Sequence, residues 1–420
     1  MRVLFVASEM APWVKVGGLG DVLGSLPPAL RALGVDVRVC LPAHAGVLDR
    51  APEPRLVERF EVHHQKGPML VEVFESRLGD LPVYLISGPT IPRDAAVYSA
   101  DMGEEAPRFV LFSLAALELA KRLSVDVLHC HDWHAAAATW QLARRREVDP
   151  ALRGMTSLLT VHNLPYAGHG AAGALYDFGI QATDDDRLPE HLRHTPLGLG
   201  LVAADAISTV SRGYAREILT AHYGHGFEHL LSTRREDLYG IMNGLDLARW
   251  DPATDPALPA GFSADALAGR RACRRELAHA LGLPQDRPIV AVVSRLVSQK
   301  GIDVALRALR AVSDRVSVAL LGEGDPHLEH EVRSLAAAFP AHVSATIGFD
   351  AALARRMYGG ADMVLMPSRY EPCGMTQMIG MRYGCVPVAC ETGGLADTVL
   401  DLDLSEAPTG VLFPEPTAAS

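Results

Sequence analysis

The sequence predicts an α/β protein built from two parallel sheets, each covered by helices on both faces. Short apolar runs rich in β-branched residues alternate with longer amphipathic segments along the whole chain. Continuous apolar strands of this kind are typical of parallel sheets. A chain of 420 residues also exceeds one ordinary hydrophobic core, which favours two domains. We therefore expect two Rossmann-like domains facing across a deep cleft, with ligands bound at the carboxyl ends of the strands.

The first series of elements predicts an N-terminal domain over residues 1–243. A helix should follow the glycine-bearing loop at 15–20, and further helices are predicted at 104–123, 134–146 and 212–221. Strands are predicted at 3–8, 35–41, 69–75, 82–87, 125–131, 156–162, 206–210 and 238–242.

A segment rich in proline, aspartate and glycine, residues 244–262, predicts a hinge or linker. A second series follows and predicts a C-terminal domain over 263–420. Its expected helices are near 263–281, 300–311, 326–338, 351–358 and 374–384. Its expected strands are 288–294, 316–321, 343–347, 363–366 and 386–389.

Composition excludes several classes of protein. A net charge of −11 argues against binding to nucleic acid or to an anionic membrane. No apolar run reaches the roughly 18 residues that a membrane-spanning helix needs, and the N-terminus does not read as a signal peptide. The six cysteines show no CxxC or metal-ligand spacing, so they are interpreted as reduced thiols of a cytoplasmic protein.

The stretch "KVGGLGD" at 15–21 places a lysine beside glycines between a strand and a helix. Lysine is rare here: the four lysines are a small part of 39 basic residues. Glycines allow close approach of a ligand, and the N–H groups at a helix N-terminus attract phosphate. The alternative is an ordinary glycine turn with a solvated Lys15. The spacing is not that of a dinucleotide-binding loop.

Two cations follow the first strand of the second series, in "SRLVSQKG" at 294–301. Arg295 and Lys300 at a strand's carboxyl end can grip a diphosphate. The alternative is a pair of surface cations, but their position at a strand end favours the functional interpretation.

A carboxylate, Glu371, lies in the loop of "PSRYEPCGMTQ" just before a predicted helix. It could accept hydrogen bonds from sugar hydroxyls, or it could be an acid favoured by a helix dipole. A second glycine turn into a helix, "ETGGLADTV" at 391–399, accompanies it and favours the sugar-binding interpretation.

The run "HCHDWH" at 129–134 suggests a metal site, because His129 and His131 could share one face of a strand. Histidines at strand exits are more often hydrogen-bonded structural groups, so we expect no metal. His162, in "TVHN", ends another strand and is expected to point toward the cleft, with the alternative that a lone histidine at such a position is usually structural.

These motifs, taken together and in this order, resemble those of the glycogen and starch synthase family, in particular its bacterial, ADP-glucose-using members. The likeness runs from residue 2 to about 413. It is carried by "KVGGLGDV", "HCHDWHAA", "TVHNLPYAG", "GIMNGLD", "SRLVSQKG", "SRYEPCGMTQ" and "TGGLADTV".

The resemblance implies a GT-B fold and an enzyme that moves glucose from ADP-glucose to the non-reducing end of an α-1,4-glucan such as glycogen, with retention of configuration and without a metal or other cofactor. The catalytic residues it implies are Glu371, Arg295, Lys300 and His162. The substrate-binding residues it implies are Lys15, Gly17, Gly18, Asp21, Tyr98, Asn243, Cys373, Gly374, Thr392, Gly393 and Gly394.

Two departures from the family pattern leave alternatives open. The segment before the 104–123 helix is shorter and less polar than expected, which bears on Tyr98. Family members usually continue beyond "GVLFPEPTAAS" through helices that return to the first domain. We therefore expect a longer natural chain, or a last part that is disordered or missing. Another retaining GT-B nucleotide-sugar transferase, or a non-catalytic glucan- or nucleotide-binding protein, remains an alternative.

Overall fold

A computed structural model describes residues 1–418, which form two compact units, residues 1–244 and residues 245–418. In the first unit the strands are β1 (Arg2–Val6), β2 (Asp36–Pro42), β3 (Arg55–Val62), β4 (Met69–Leu78), β5 (Leu81–Ser87), β6 (Val127–His131), β7 (Thr156–Val161), β8 (Ala206–Thr209) and β9 (Leu238–Gly240). Its helices are α1 (Gly18–Ala32), α2 (Val47–Arg50), α3 (Met102–Arg122), α4 (Trp133–Arg145), α5 (Ala172–Asp177), α6 (Pro196–Ala203), α7 (Arg212–Glu217) and α8 (Glu228–Thr233).

The sheet of the first unit has the strand order β3-β4-β5-β2-β1-β6-β7-β8-β9. From β5 to β9 the neighbouring strands are parallel, as predicted. Strands β3, β4 and β5 form an antiparallel meander at one edge. The prediction of a wholly parallel sheet was therefore wrong at this edge. Strand β3 was missed because charged residues interrupt it and most of its side chains are exposed.

Helix α6 was also missed. Its sequence "PLGLGLVA" contains two glycines, which disfavour a helix in isolation. Packing explains them: a Cβ on Gly200 would lie 2.7 Å from the Cβ of Ala136 in α4. The glycine therefore allows close contact between α6 and α4, and Thr195 caps the helix by accepting from the Gly198 N–H.

In the second unit the helices are α9 (Ala268–Ala280), α10 (Ile302–Val312), α11 (Pro326–Ala338), α12 (Ala351–Gly360), α13 (Thr376–Arg382) and α14 (Gly393–Thr398). The strands are β10 (Ile289–Val293), β11 (Ser317–Gly322), β12 (Val343–Ile347), β13 (Met363–Met366), β14 (Val386–Cys390) and β15 (Val411–Phe413). The sheet order is β12-β11-β10-β13-β14-β15, and all of these pairs are parallel. Each strand and helix predicted for this unit is present, with ends shifted by a few residues.

The predicted linker at 244–262 requires a correction, because residues 245–262 belong to the second unit. Trp250 and Phe262 pack in an apolar cluster with Tyr383. The Asp255 carboxylate accepts from the Tyr383 hydroxyl at 2.5 Å and pairs with Arg355 at 2.7 Å. The proline-rich composition was misleading, because its aromatic and acidic residues anchor the segment to α12 and α13.

None of the helices described over residues 1–418 is both long enough and apolar enough to cross a bilayer.

Candidate active site

The predicted site residues gather at the carboxyl ends of the parallel strands, within each unit separately. In the first unit these residues follow β1, β5, β7 and β9; in the second they follow β10, β13 and β14. Parallel strands leave their C-terminal loops at one edge of a sheet, and ligands bind there in open α/β folds.

The loop that holds Lys15 is organised by a residue that we did not predict, Glu9. This carboxylate is 2% exposed and accepts hydrogen bonds from the backbone N–H groups of Val16, at 2.6 Å, and Gly17, at 3.0 Å. A Cβ on Gly20 would lie 2.9 Å from the same carboxylate, so glycine leaves room for it. The N–H of Gly17, a residue that the resemblance implies to bind substrate, is thus hydrogen-bonded to an internal anion. The sequence feature that could have identified Glu9 was its position, an acidic residue directly after the predicted apolar strand 3–8.

Lys15 and Asp21, both predicted to contact the substrate, are brought together. The Lys15 Nζ lies 2.7 Å from an Asp21 carboxylate oxygen, and the lysine side chain is partly exposed. Asp21 lies in the first turn of α1, which begins at Gly18 with Gly17 as its N-cap. The negative charge near the helix N-terminus is favourable, and it places the ammonium group beside the start of the helix.

Tyr98 joins the same network. Its hydroxyl donates to the Glu9 carboxylate at 2.7 Å and lies 2.9 Å from the Ser8 hydroxyl. Burial, and next the charge of Glu9, raise the pKa of Tyr98 well above its usual value. The shorter segment before α3 is held by the buried Arg108, which donates to the carbonyls of Ala96 and Val97. The structure therefore places Tyr98 against the Lys15 loop, despite the unusual length of its segment.

His129 and His131 of "HCHDWH" are buried and form a cluster with the half-buried His162 of "TVHN". The Nδ1 of His131 lies 2.9 Å from the Nε2 of His162, and the Nε2 of His129 lies 2.6 Å from the Thr160 hydroxyl. Burial lowers the pKa of His129 to about 3 and that of His162 to about 4, so both are neutral near pH 7. Within residues 1–418, no group of three or more histidine, cysteine or acidic side chains has a metal-binding arrangement.

Asp132 holds the end of β7 in place. Its carboxylate accepts from the N–H groups of His162, at 2.7 Å, and Asn163, at 3.3 Å. Asp132 has a φ of 55°, an uncommon left-handed conformation for a residue other than glycine. Burial raises its pKa to about 7. Asn243, another predicted contact, lies after β9 and is half-buried.

In the second unit the predicted diphosphate and sugar residues meet directly. The Lys300 Nζ donates to both carboxylate oxygens of Glu371, at 2.8 and 2.6 Å, and the Ser368 hydroxyl donates to one of them at 3.0 Å. Glu371 is buried, whereas the Lys300 side chain is 19% exposed. Lys300, which was predicted to bind the diphosphate, and Glu371, which was predicted to bind the sugar, therefore form one ion pair.

Arg295 is exposed at the end of β10, and its guanidinium makes a long contact of 3.5 Å with the Gln299 side chain. The turn after it is tightly built. Gly301 has a φ of 63°, and a Cβ there would lie 1.9 Å from the Pro367 carbonyl oxygen. This close contact joins the turn that holds Lys300 to the loop that holds Glu371.

The remaining predicted residues pack on the other side of Glu371. The Gly394 N–H donates to the Glu371 carbonyl at 2.9 Å, and a Cβ on Gly394 would lie 2.0 Å from the Cys373 carbonyl oxygen. Gly374 and Gly393 have φ values of 70° and 45°. Thr392 is the N-cap residue of α14. These glycines allow the backbone of the loop at 371–374 to contact the backbone of the turn at 392–394.

Gln377 was not predicted, yet it ties these loops together. Its amide nitrogen donates to the carbonyls of Cys373, at 3.0 Å, and Gly374, at 2.9 Å, and to the Thr398 hydroxyl at 3.0 Å. Ile379, also in α13, is buried in the apolar cluster around Trp250 and Tyr383. It takes no part in the polar site.

Two Rossmann-like units, each with polar residues at its carboxyl strand ends, define a glycosyltransferase of the GT-B class. Residues 2–233 match the starch synthase catalytic domain, and residues 274–420 match the glycosyl transferases group 1 family. The chain belongs to the glycogen and starch synthase family.

Curated relatives and solved structures agree with this assignment. A glycogen synthase of Anaeromyxobacter dehalogenans is 42% identical, over 99% of this chain and 89% of that protein. A glycogen synthase of Geotalea daltonii is 38% identical, with the same shares covered. The catalytic domain of starch synthase IV from Arabidopsis thaliana, bound to ADP and acarbose, is similar with a TM-score of 0.88 and 32% identity, covering 99% of this chain and 88% of that one. A sucrose-phosphate synthase from Thermosynechococcus elongatus, at 18% identity, a TM-score of 0.60 and shares of 100% and 87%, shares the fold.

Proposed function

We propose that this glucosyltransferase of glycogen synthesis uses ADP-glucose as donor and extends the non-reducing end of an α-1,4-glucan with retention of configuration. The observation that carries the proposal is the Lys300–Glu371 pair at the carboxyl strand ends of the second unit. The likeness to a starch synthase solved with ADP and acarbose supports the choice of donor and acceptor.

The chemistry of the donor assigns a role to each charged residue. As ADP leaves, negative charge grows on the β-phosphate and positive charge grows at the anomeric carbon. Arg295 and Lys300 stabilise the phosphate, since preorganised cations act most strongly where charge develops. Glu371, paired with Lys300, accepts hydrogen bonds from sugar hydroxyls. Lys15 contacts the donor, and His162 contacts its glucose.

Retention of configuration follows from attack on the same face as the leaving group. None of the side chains described around Glu371 is placed as an obvious nucleophile, because its own carboxylate is held by Lys300 and Ser368. The acceptor hydroxyl therefore attacks while the departing phosphate helps to remove its proton. Arg295 and Lys300 hold that phosphate near the acceptor during the step.

The proposal includes no cofactor, because cationic side chains meet the diphosphate and no metal is required to neutralise it. It places the protein in the cytoplasm, where nucleotide sugars and glycogen are found. Nucleic acid and membranes are not partners, consistent with the net charge of −11.

The test is glucose incorporation into glycogen from ADP-glucose and from UDP-glucose, at equal concentrations. We expect efficient transfer from ADP-glucose and much slower transfer from UDP-glucose. The product should release glucose on digestion by an enzyme specific for terminal α-1,4 linkages. Preference for UDP-glucose, or incorporation that this digestion does not release, would overturn the proposal.

A further inference from the structure

His131, the last residue of β6, is buried beside the predicted catalytic residue His162. Its ring stacks on those of His129, at 4.3 Å and 29°, and Phe5, at 5.4 Å and 23°. Its Nδ1 lies 2.9 Å from the Nε2 of His162. His131 therefore contacts His162 directly, and the proposed function does not involve this contact.

Both rings are neutral, so the contact between them contains one hydrogen atom. Burial lowers the pKa of His131 well below its usual value and that of His162 to about 4. A neutral imidazole carries one N–H and one acceptor nitrogen. Either His131 donates from Nδ1 to the Nε2 of His162, or His162 donates from Nε2 to the Nδ1 of His131.

The other nitrogen of His131 decides between these arrangements. Its Nε2 is buried and has no hydrogen-bond partner in the part of the chain that the structure describes. If His162 were the donor, His131 would carry its proton on this Nε2, which would leave a buried N–H unpaired. If His131 is the donor, Nε2 is an unpaired acceptor. Buried N–H groups without partners are rarer in proteins than under-satisfied acceptors. The arrangement in which His131 donates to His162 is therefore favoured.

We propose that His131 is a positioning residue that fixes His162 in the tautomer protonated at Nδ1, so that His162 offers an N–H donor to an oxygen atom of the bound sugar. The sugar-directed part rests on the proposed function. The Nδ1 of His162 makes no hydrogen bond within residues 1–418, and the side chain is half-buried rather than enclosed. In this tautomer Nδ1 has no lone pair, so His162 is a hydrogen-bond donor and not a general base at that atom.

The tautomer can be measured without any assay of activity. In ¹⁵N-labelled full-length protein near pH 7, protonated and unprotonated ring nitrogens resonate in separate regions of the NMR spectrum. The signals of His162 are assigned by their loss in His162→Gln. We expect Nδ1 to be protonated. Protonation at Nε2 in the wild-type protein would overturn the inference, whatever the rate of glucose transfer.

Variants of His131 then test the positioning role. His131→Leu removes the donor to Nε2 and should shift His162 toward the Nε2-protonated form. The value of kcat/KM should fall roughly tenfold, the scale of one hydrogen bond. His131→Asn should retain much of the wild-type tautomer of His162 and of the wild-type kcat/KM. The asparagine amide N–H can lie close to the position of the His131 Nδ1 and donate in its place.

The matched control is His129→Leu, which removes a neighbouring buried imidazole from the same strand without touching His162. It should leave the His162 tautomer unchanged and lower kcat/KM much less. Equal losses in the two leucine variants, with no change of tautomer, would show a merely structural role and overturn the inference. If His162 is Nδ1-protonated but the wild-type protein transfers no glucose from ADP-glucose, the proposed function fails and the tautomer assignment stands.

Discussion

The Lys300 ammonium group donates to both carboxylate oxygens of Glu371, at 2.8 and 2.6 Å, across 71 residues of sequence. The pair is nearly enclosed, with side-chain exposures of 19% and 6%. An enclosed ion pair is strongly coupled, because removing one partner leaves the other charge without compensation. Lys300 therefore combines its proposed role toward the donor phosphate with a direct pairing to the Glu371 carboxylate.

The first prediction separates these roles by a double-mutant cycle. Lys300→Ala should lower the free energy of unfolding by roughly 3 kcal/mol, since it leaves the Glu371 carboxylate buried with the Ser368 hydroxyl as its remaining side-chain donor. Adding Glu371→Gln should recover much of that loss but none of the activity. Denaturant unfolding measures the first effect and glucose transfer the second. If the single and double variants were equally destabilised, the two side chains would not be coupled.

The second prediction concerns Glu9 and Lys15. Lys15→Ala should raise the KM for the donor more than it lowers kcat, if the ammonium binds ground state and transition state alike. Glu9→Ala should have a similar effect indirectly, because the N–H groups of Val16 and Gly17 lose their acceptor and the loop loses its anchor.

The Glu9 interpretation has a conservative control. Glu9→Gln keeps an acceptor oxygen for these N–H groups and should retain more donor affinity than Glu9→Ala. Steady-state kinetics with varied ADP-glucose measures the difference. An unchanged KM in folded Glu9→Ala would mean that the loop holds its shape without the carboxylate.

The third prediction is acid sensitivity of the fold. Among the described residues, burial lowers the pKa of seven imidazoles, those of His44, His129, His131, His134, His162, His169 and His225. Each folded pKa lies below the unfolded value, so the unfolded chain binds more protons and stability falls as the pH drops below about 6.5. Asp132 acts in the opposite sense, because its pKa is raised to about 7 and its contribution is lost as the pH rises. The histidines outnumber it, so the melting temperature should fall from pH 7 to pH 5.

A single substitution tests this account. His134→Gln removes one buried imidazole, whose pKa is about 3, and should reduce the pH slope of the unfolding free energy by about 1.4 kcal/mol per pH unit. The exposed His63 provides the control variant, His63→Gln. Denaturant unfolding at a series of pH values gives the slopes. Equal slopes in the wild-type protein and His134→Gln would refute the assignment of His134.

The fourth prediction is that glucose transfer survives chelation. Arg295 and Lys300, rather than a cluster of carboxylates, are proposed to meet the diphosphate. Activity in excess EDTA should equal that in its absence. Complete loss, restored by adding a divalent ion, would contradict the metal-free mechanism and redirect attention to the histidines of "HCHDWH".

The local pattern of the sequence was enough to predict most of the fold. Strands such as β10 and β11 are continuous apolar runs, and helices such as α10 have a clear apolar period. The pattern failed where tertiary packing overrides propensity. In α6, Gly200 allows contact with α4 and Gly198 leaves room for the Leu192 carbonyl, while β3 is an edge strand with mostly exposed side chains.

The candidate site was predicted as a set of residues but not as an arrangement. Lys15, Arg295, Lys300 and Glu371 all stand at strand ends, which the order of motifs reveals. The partnership of Lys300 with Glu371 depends on how two loops 71 residues apart pack together. The role of Glu9 depends on the 15–20 loop folding back over β1, which no spacing rule anticipates. Such pairings are set by three-dimensional contact rather than by local chemistry.

The most direct test of the proposed diphosphate site is the kcat of Arg295→Ala with ADP-glucose and glycogen. Arg295 is exposed, and within residues 1–418 its side chain makes a single long hydrogen bond, so its removal should leave the melting temperature unchanged. Lys66→Ala, outside every motif, is the control and should be fully active. We predict that kcat of Arg295→Ala falls by about 10²–10³, the usual effect of losing a group that meets developing charge. Transfer at a near wild-type rate by a normally folded Arg295→Ala would contradict the assignment of the phosphate site.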